Sequence, residues 1–205
     1  MTGGSQVVTG VVEALDKHGW CVTDELVDGT DARLLRDECR LIWTKNRFRQ
    51  AGVGLGSSLR VRPEIRSDHV KWLEEGRRTP AQWRYVRTME ALRLALNERF
   101  YLGLFEFEAH FAVYPPGAFY ARHFDQFKGA RHRNVSAILY LNEDWDEADG
   151  GALRLYLGTG DDAQSVDVVP VLGRVAVFWS EQFEHEVLPA ARERCSLTGW
   201  LRTRE

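Results

Sequence analysis

Tyr120-Ala121-Arg122-His123-Phe124-Asp125 has the character of a β-strand. Successive side chains on a strand point to opposite faces, so His123 and Asp125 offer an imidazole and a carboxylate to one side. Short runs of the same kind extend in both directions. Strands are predicted over 106–114, 120–125, 134–141, 151–157, 165–170, 173–179, 185–188 and 194–202. Gly150-Gly151 and the stretch from Gly158 to Asp162 punctuate them as turns.

The first hundred residues carry a helical period instead. Val8, Val11, Val12 and Leu15 predict a helix ending near Gly19. A second helix is expected to start at a cap on Thr30 or Asp31 and run to about Phe48, with Leu34, Leu35, Leu41 and Ile42 as its apolar side. A third has Thr79 as cap, Pro80 at its first position and Gln82 completing a capping box. Its buried side is read as Trp83, Val86, Met89, Leu92 and Leu96. Gly52, Gly54 and Gly56 follow no strand and precede no Lys-Ser/Thr pair, so they read as a flexible connector rather than a phosphate loop. Helices followed by many short strands predict an α+β fold, a β-sandwich or jelly roll backed by helices, in one domain. Residues 1–100 supply the helical support and 101–205 the jelly-roll core.

With 205 residues the chain can bury a full core. A net charge of -3 argues against a general nucleic-acid or membrane-surface binder. Cys21, Cys39 and Cys195 form no CxxC pair, which argues against a disulfide framework or zinc knot and for a reducing cytoplasm. No signal peptide and no membrane span are expected.

An HxD pair alone is more often a solvated strand end than a metal site, but His185 can join it through the fold. Two histidines and one carboxylate on one face suit non-haem Fe(II), leaving positions open for a chelating oxo-acid and O2. Arg194, Ser196, Thr198 and Trp200 alternate along one strand and share a face. A buried arginine there needs an anion. The planar guanidinium matches a carboxylate, either of a ligand or of an internal Asp or Glu.

The stretches IRSDHVKWLEEG (65–76), Tyr114-Pro115, YARHFD (120–125), LYLNEDWDEADGGALRLY (139–156), VAVFWS (175–180) and HEVLPAARERCSLTGW (185–200) carry a resemblance. Over roughly 60–202 the chain resembles the 2-oxoglutarate-dependent prolyl 4-hydroxylases, in particular those acting on hypoxia-inducible factor and their bacterial relatives. The resemblance implies a double-stranded β-helix (jelly roll) core and Fe(II) held by His123, Asp125 and His185. It further implies 2-oxoglutarate and O2 as cosubstrates and ascorbate as accessory reductant. Arg194 would hold the distal carboxylate of 2-oxoglutarate with help from Tyr140, and Tyr114 would donate near its metal-binding end. Ser136, Ile138, Leu153, Thr198 and Trp200 would complete that pocket. Arg66, Asp68 and Trp72 match a mobile segment covering the bound peptide, Tyr120 borders the groove, and Arg133 sits near the same entrance, where it could pair with Asp68. The polar stretch 60–78 is therefore expected to act as a lid.

The expected reaction is C4 hydroxylation of a prolyl residue in a protein substrate, with succinate and CO2 formed. The bacterial members suggest elongation factor Tu as that substrate, and the enzyme is expected to be a monomer. Hydroxylation of a free amino acid or small metabolite, or a non-catalytic cupin-like metal-binding sensor, are the competing readings. Glu186 follows His185 but points to the other strand face, so it is not read as a ligand. His18, His69, His110 and His132 are read as structural or solvated.

Overall fold

The computed structural model describes residues 3–54, 60–126, 132–160 and 163–204. Gly56 and the Asp161-Asp162 end of the expected turn lie outside them.

Three helices pack on one face of a large sheet: α1 (Gly3–His18), α2 (Gly29–Thr44) and α3 (Pro80–Phe100). The strands are β1 (Trp20–Thr23), β2 (Arg49–Gln50), β3 (His69–Trp72), β4 (Leu104–Tyr114), β5 (Tyr120–His123), β6 (Arg133–Tyr140), β7 (Leu153–Tyr156), β8 (Ser165–Val168), β9 (Val175–Trp179), β10 (His185–Val187) and β11 (Arg194–Thr203). They form a seven-stranded sheet, β1-β9-β6-β11-β4-β3-β2, and a four-stranded sheet, β5-β10-β7-β8. Every pairing between these strands is antiparallel. Helices on one side of a jelly roll are the predicted α+β architecture.

Alternation along the central strands explains how one sheet serves two cores. Phe107, Ala109, Phe111 and Val113 of β4, Val135, Ala137 and Leu139 of β6, and Cys195 and Leu197 of β11 face the helices. They meet Leu15, Leu35, Met89, Leu92 and Leu96, all essentially fully buried. Each such side chain contributes on the order of 1.5–3 kcal/mol. The intervening residues, Ala112 and Tyr114, Ile138 and Tyr140, face the small sheet's Leu153, Leu155 and Val187. Gly199 is required where β11 runs beside β4, opposite Ala109: a methyl group there would collide with the Phe107 ring and stand 2.7 Å from the Glu108 carbonyl.

Several local expectations need correction. Asp28, not Thr30 or Asp31, caps α2 by accepting from the Thr30 amide, and the helix stops at Thr44. The buried residues of α2 are Ala32, Leu35 and Cys39, whereas Leu34 and Leu41 are exposed, because the register is set by α3 and the sheet rather than by counting leucines. Thr79 does cap α3, but the Gln82 side chain donates to Glu38 on α2 at 2.8 Å instead of closing a capping box. Trp83 is exposed beneath the Arg78 guanidinium, and Tyr85 takes the buried place.

The stretch 60–78, expected to act as a lid, is partly built into the large sheet. His69–Trp72 is a strand of the large sheet, paired with β4, and Val70 is buried. Just before it, the Ala121 amide donates to Ile65, the Ser67 amide to Phe119, and Arg66 bridges to Tyr120. Polarity suggested a lid because Asp68 and Arg66 read as surface charges. Together they make a bidentate pair at 2.7 and 2.6 Å, and Asp68 is wholly buried.

Candidate active site

Both sheets contribute to a cavity of about 450 Å³ that opens between them. The small sheet brings His123 at the end of β5 opposite His185 at the start of β10, as direct register partners. Asp125 lies just past the end of β5. His123 Nε2 is 3.6 Å from Asp125 Oδ1, and His185 Nε2 is 3.5 Å from Asp125 Oδ2. One ligand atom from each of the three residues falls within 4.8 Å of the others, so this group could hold a metal ion.

The same device orients both imidazoles. His123 Nδ1 lies 2.8 Å from the Ala121 carbonyl and His185 Nδ1 lies 3.1 Å from the Phe183 carbonyl. A carbonyl only accepts, so each Nδ1 carries the proton and each Nε2 lone pair is aimed at the cluster. Burial, and then the neighbouring His123, push the His185 imidazole down to about 4, so it is neutral at physiological pH. Burial opposes the charge of Asp125. The imidazoles of His185 and His123 and the Ser136 hydroxyl more than offset it, holding the carboxyl well below its usual range. A deprotonated carboxylate with two neutral imidazoles is the donor set that a divalent first-row metal requires.

Deeper in the cavity the large sheet supplies Arg194, Ser196, Thr198 and Trp200 from β11, with Tyr114 from β4 and Ile138 from β6. Leu153 faces them from β7. Arg194 is 1% exposed, and among the described residues no carboxylate lies within 4.0 Å of it. Its Nε donates to the Gly151 carbonyl at 2.8 Å, and its guanidinium lies 4.9 Å from the Tyr114 ring centre and 5.2 Å from that of Tyr140. The Tyr140 hydroxyl is buried, with no hydrogen-bond partner among the described residues. Burial raises the phenols of Tyr140 and Tyr114, so both stay protonated donors. A buried cation and an orphaned phenol leave the site short of an anionic acceptor, which a dicarboxylic acid fits. The internal Asp or Glu that would have satisfied Arg194 is not among the described residues.

The remaining expected residues are distributed as follows. Ser136 is not among the residues that line the cavity: its hydroxyl donates to Asp125 Oδ2 at 2.6 Å. Tyr120 stacks on His123 with ring centres 3.6 Å apart, and the Arg66 guanidinium covers its other face at 4.2 Å. Trp72 and Arg133 line the cavity, but Arg133 pairs with Glu108 at 2.9 Å and lies over Trp200 at 3.6 Å, not with Asp68. Glu186 accepts from Tyr156 on the outer face of the small sheet, away from the cluster.

His110 is a cavity residue that sequence reasoning missed. It is 4% exposed and packed between Trp72 and Trp200, with ring centres 4.8 and 5.4 Å away. Its place on β4 two residues from Ala112 and four from Tyr114, all on the inward face, was the available signal. Arg49 was also missed, since β2 is too short to show a period.

A sequence model of the 2OG-Fe(II) oxygenase superfamily matches residues 109–202, the part holding the histidines, Asp125 and Arg194. Human Egl nine homolog 1 is 31% identical over 199 residues, covering 93% of this chain and 45% of that protein. The chain thus spans about half the length of the curated relatives it matches first. A solved prolyl-4-hydroxylase from Pseudomonas putida is 43% identical, superimposes with a TM-score of 0.85, and is covered over 100% of its chain and 97% of this one. A prolyl hydroxylase from Trichoplax adhaerens, solved with a hypoxia-inducible-factor peptide, shares the fold at a TM-score of 0.77 and 24% identity, with 97% of this chain and 90% of that one covered. The chain belongs to the 2-oxoglutarate- and Fe(II)-dependent prolyl 4-hydroxylase family.

Proposed function

We propose that this chain is a dioxygenase that hydroxylates C4 of a prolyl residue in a protein substrate, consuming 2-oxoglutarate and O2 and forming succinate and CO2. One observation carries the reading. A two-histidine, one-carboxylate cluster shares a cavity with a buried arginine that has no carboxylate partner among the described residues. In this reading the chain is one catalytic domain.

His123, Asp125 and His185 would hold the iron. When bound, Fe(II) together with 2-oxoglutarate supplies the oxygen activation and the two reducing electrons that no side chain here can provide. Arg194 binds the distal carboxylate of the cosubstrate, and the Tyr140 phenol donates to the same group. Tyr114 donates toward the keto-acid end, and Thr198 adds a hydroxyl. Ile138, Leu153 and Trp200 form apolar walls that exclude water and orient the cosubstrate. Arg66, Asp68, Trp72, Tyr120 and Arg133 shape the entrance over which the substrate chain lies. The Arg66–Tyr120–His123 stack ties that entrance to the metal ligands.

The relatives favour a protein substrate: among the prolyl hydroxylases is one solved with a hypoxia-inducible-factor peptide. Elongation factor Tu is the candidate raised by the likeness to bacterial members. Ascorbate serves as accessory reductant, the enzyme works as a monomer, and it works in the cytoplasm. Among the described residues no helix is long and apolar enough to cross a membrane.

The test is succinate release that depends on 2-oxoglutarate and on a proline-containing protein, together with mass spectrometry of that protein. A gain of one oxygen on proline is expected. Succinate formed equally well with free amino acids, and no modified proline, would overturn the protein-substrate reading.

A further inference from the structure

Four arginines stand in the cavity wall, and three have a counter-charge or a role. Arg66 is held bidentately by Asp68, Arg133 is paired with Glu108, and Arg194 faces the cosubstrate pocket. The fourth is Arg49. It is exposed, and among the described residues no carboxylate lies within 4.0 Å of it. Arg49 pairs in register with Val70, whose side chain also lines the cavity, so its guanidinium is presented at the mouth. Its strand is the last of the seven-stranded sheet and has a partner on one side only.

The surrounding sequence strengthens the charge. From Cys39 to Pro63 the chain carries Arg40, Lys45, Arg47, Arg49, Arg60 and Arg62, with no Asp or Glu, although the whole protein is net negative at -3. Of the acids that follow in sequence, Glu74 accepts from Lys71 at 2.6 Å, and Glu64 lies 3.8 Å from Arg62. A local positive field of this kind attracts the opposite charge and discriminates among partners more than it adds raw affinity.

We propose that Arg49 receives a carboxylate of the substrate chain close to the target proline, so that the enzyme selects prolines in acidic segments. The inference rests on the protein-substrate reading and deepens it. An extended chain crossing the cavity passes along the terminal strand. An Asp or Glu within a few residues of the proline meets Arg49 there, while the flanking basic residues steer its approach.

Direct binding of labelled peptides tests this without turnover. The protein is loaded with Fe(II) and 2-oxoglutarate under nitrogen. Three peptides share one proline, flanked by Asp and Glu, by Asn and Gln, or by Lys, and fluorescence anisotropy gives their affinities. The acidic peptide should bind about threefold to fivefold more tightly than the neutral one, the range of a partly exposed ion pair. The difference should shrink as salt rises from about 0.05 M to about 0.5 M. Arg49→Gln should remove the preference, and Arg49→Glu should transfer it to the lysine peptide. Equal binding of all three by the native protein, or an acidic preference that persists in Arg49→Glu, overturns the proposal. A separate aerobic assay scores proline hydroxylation. Arg49-dependent acidic binding with no modified proline would sink the hydroxylase reading and leave the charge selectivity standing.

Discussion

The Ser136 hydroxyl donates to Asp125 Oδ2 at 2.6 Å, and behind it the Ser180 hydroxyl lies 2.8 Å away. Both serines are wholly buried. The carboxylate is thus held from the rear by a chain of two hydroxyls, one on β6 and one just past β9. Hydrogen bonds to a ligating carboxylate fix its orientation, and losing one typically costs about 10- to 100-fold in metal affinity. Ser136→Ala should weaken Mn(II) or Co(II) binding by that order in calorimetric titration while the melting temperature changes little. Unchanged metal affinity would show that Asp125 is positioned by the two imidazoles alone.

Arg194→Ala should raise the apparent dissociation constant for 2-oxoglutarate by two or more orders of magnitude, since leaving a buried charge unpaired costs about 3–5 kcal/mol. Arg194→Lys should recover little of the loss. A lysine has no Nε–H to keep the Gly151 carbonyl satisfied and no planar fork for the carboxylate. Equilibrium binding of 2-oxoglutarate to the metal-loaded variants decides it.

Gly151 sits at φ +67°, and a methyl group there would lie 2.9 Å from Ala190 Cβ and 3.2 Å from both Arg194 Cδ and the Trp145 ring. Gly151→Ala should lower stability by about 1–3 kcal/mol through backbone strain and crowding. It should also weaken 2-oxoglutarate binding, because the crowded atom belongs to Arg194. Denaturant unfolding and cosubstrate titration would both have to be unaffected for this coupling to be dismissed.

Burial, followed by the charges of Arg66 and Arg133, holds the His110 imidazole well below its ordinary range. The folded protein therefore keeps His110 neutral while the unfolded chain takes up a proton near pH 6.5. Stability must fall as pH drops below that value. The loss accrues as pH falls through about 6.5 and steepens toward the acid side. His110→Gln should show a shallower decline than the native protein over the same pH range. Parallel pH profiles would exclude His110 as a source of acid sensitivity.

Hydrogen exchange should find the amides of β3 protected in the free protein by pairing with β4, that of Ser67 by donation to the Phe119 carbonyl, and those of Ile65 and Arg66 by donation to the Arg62 carbonyl. Asp68→Asn should destabilise by about 3–5 kcal/mol by stranding Arg66. Rapid exchange across 65–72 would restore the view of this stretch as a mobile cover.

The cluster was legible from the close spacing of His123 and Asp125, although β5 ends at His123 and Asp125 reaches the cluster from beyond the strand, and strand alternation did place Arg194 to Trp200 on one face. Period and turns also placed β4 to β11 within a few residues. Charge pairing was not legible. Whether Asp68 meets Arg66 or Arg133 is fixed by the fold, and polarity gave no sign that Asp68 is wholly buried. Ser136 looked like a pocket wall because Ile138 and Tyr140 share its face, yet its hydroxyl is spent on Asp125. The buried faces of α2 and α3 were misjudged at Leu34, Leu41 and Trp83 for a related reason: a helical period admits neighbouring registers, and packing against the sheet chooses among them.

The histidine and aspartate ligands hang from the small sheet, whereas Arg194 and its companions hang from the large one, whose central strand β11 follows every other strand along the chain. During synthesis on the ribosome, β6 and β4 emerge without the strand that separates them, and His123 and Asp125 emerge sixty residues ahead of their third companion. An unfinished chain thus has neither a complete metal pocket nor a cosubstrate anchor. Arg194 and its neighbours on β11 are thus the last wall of the cavity to be synthesised.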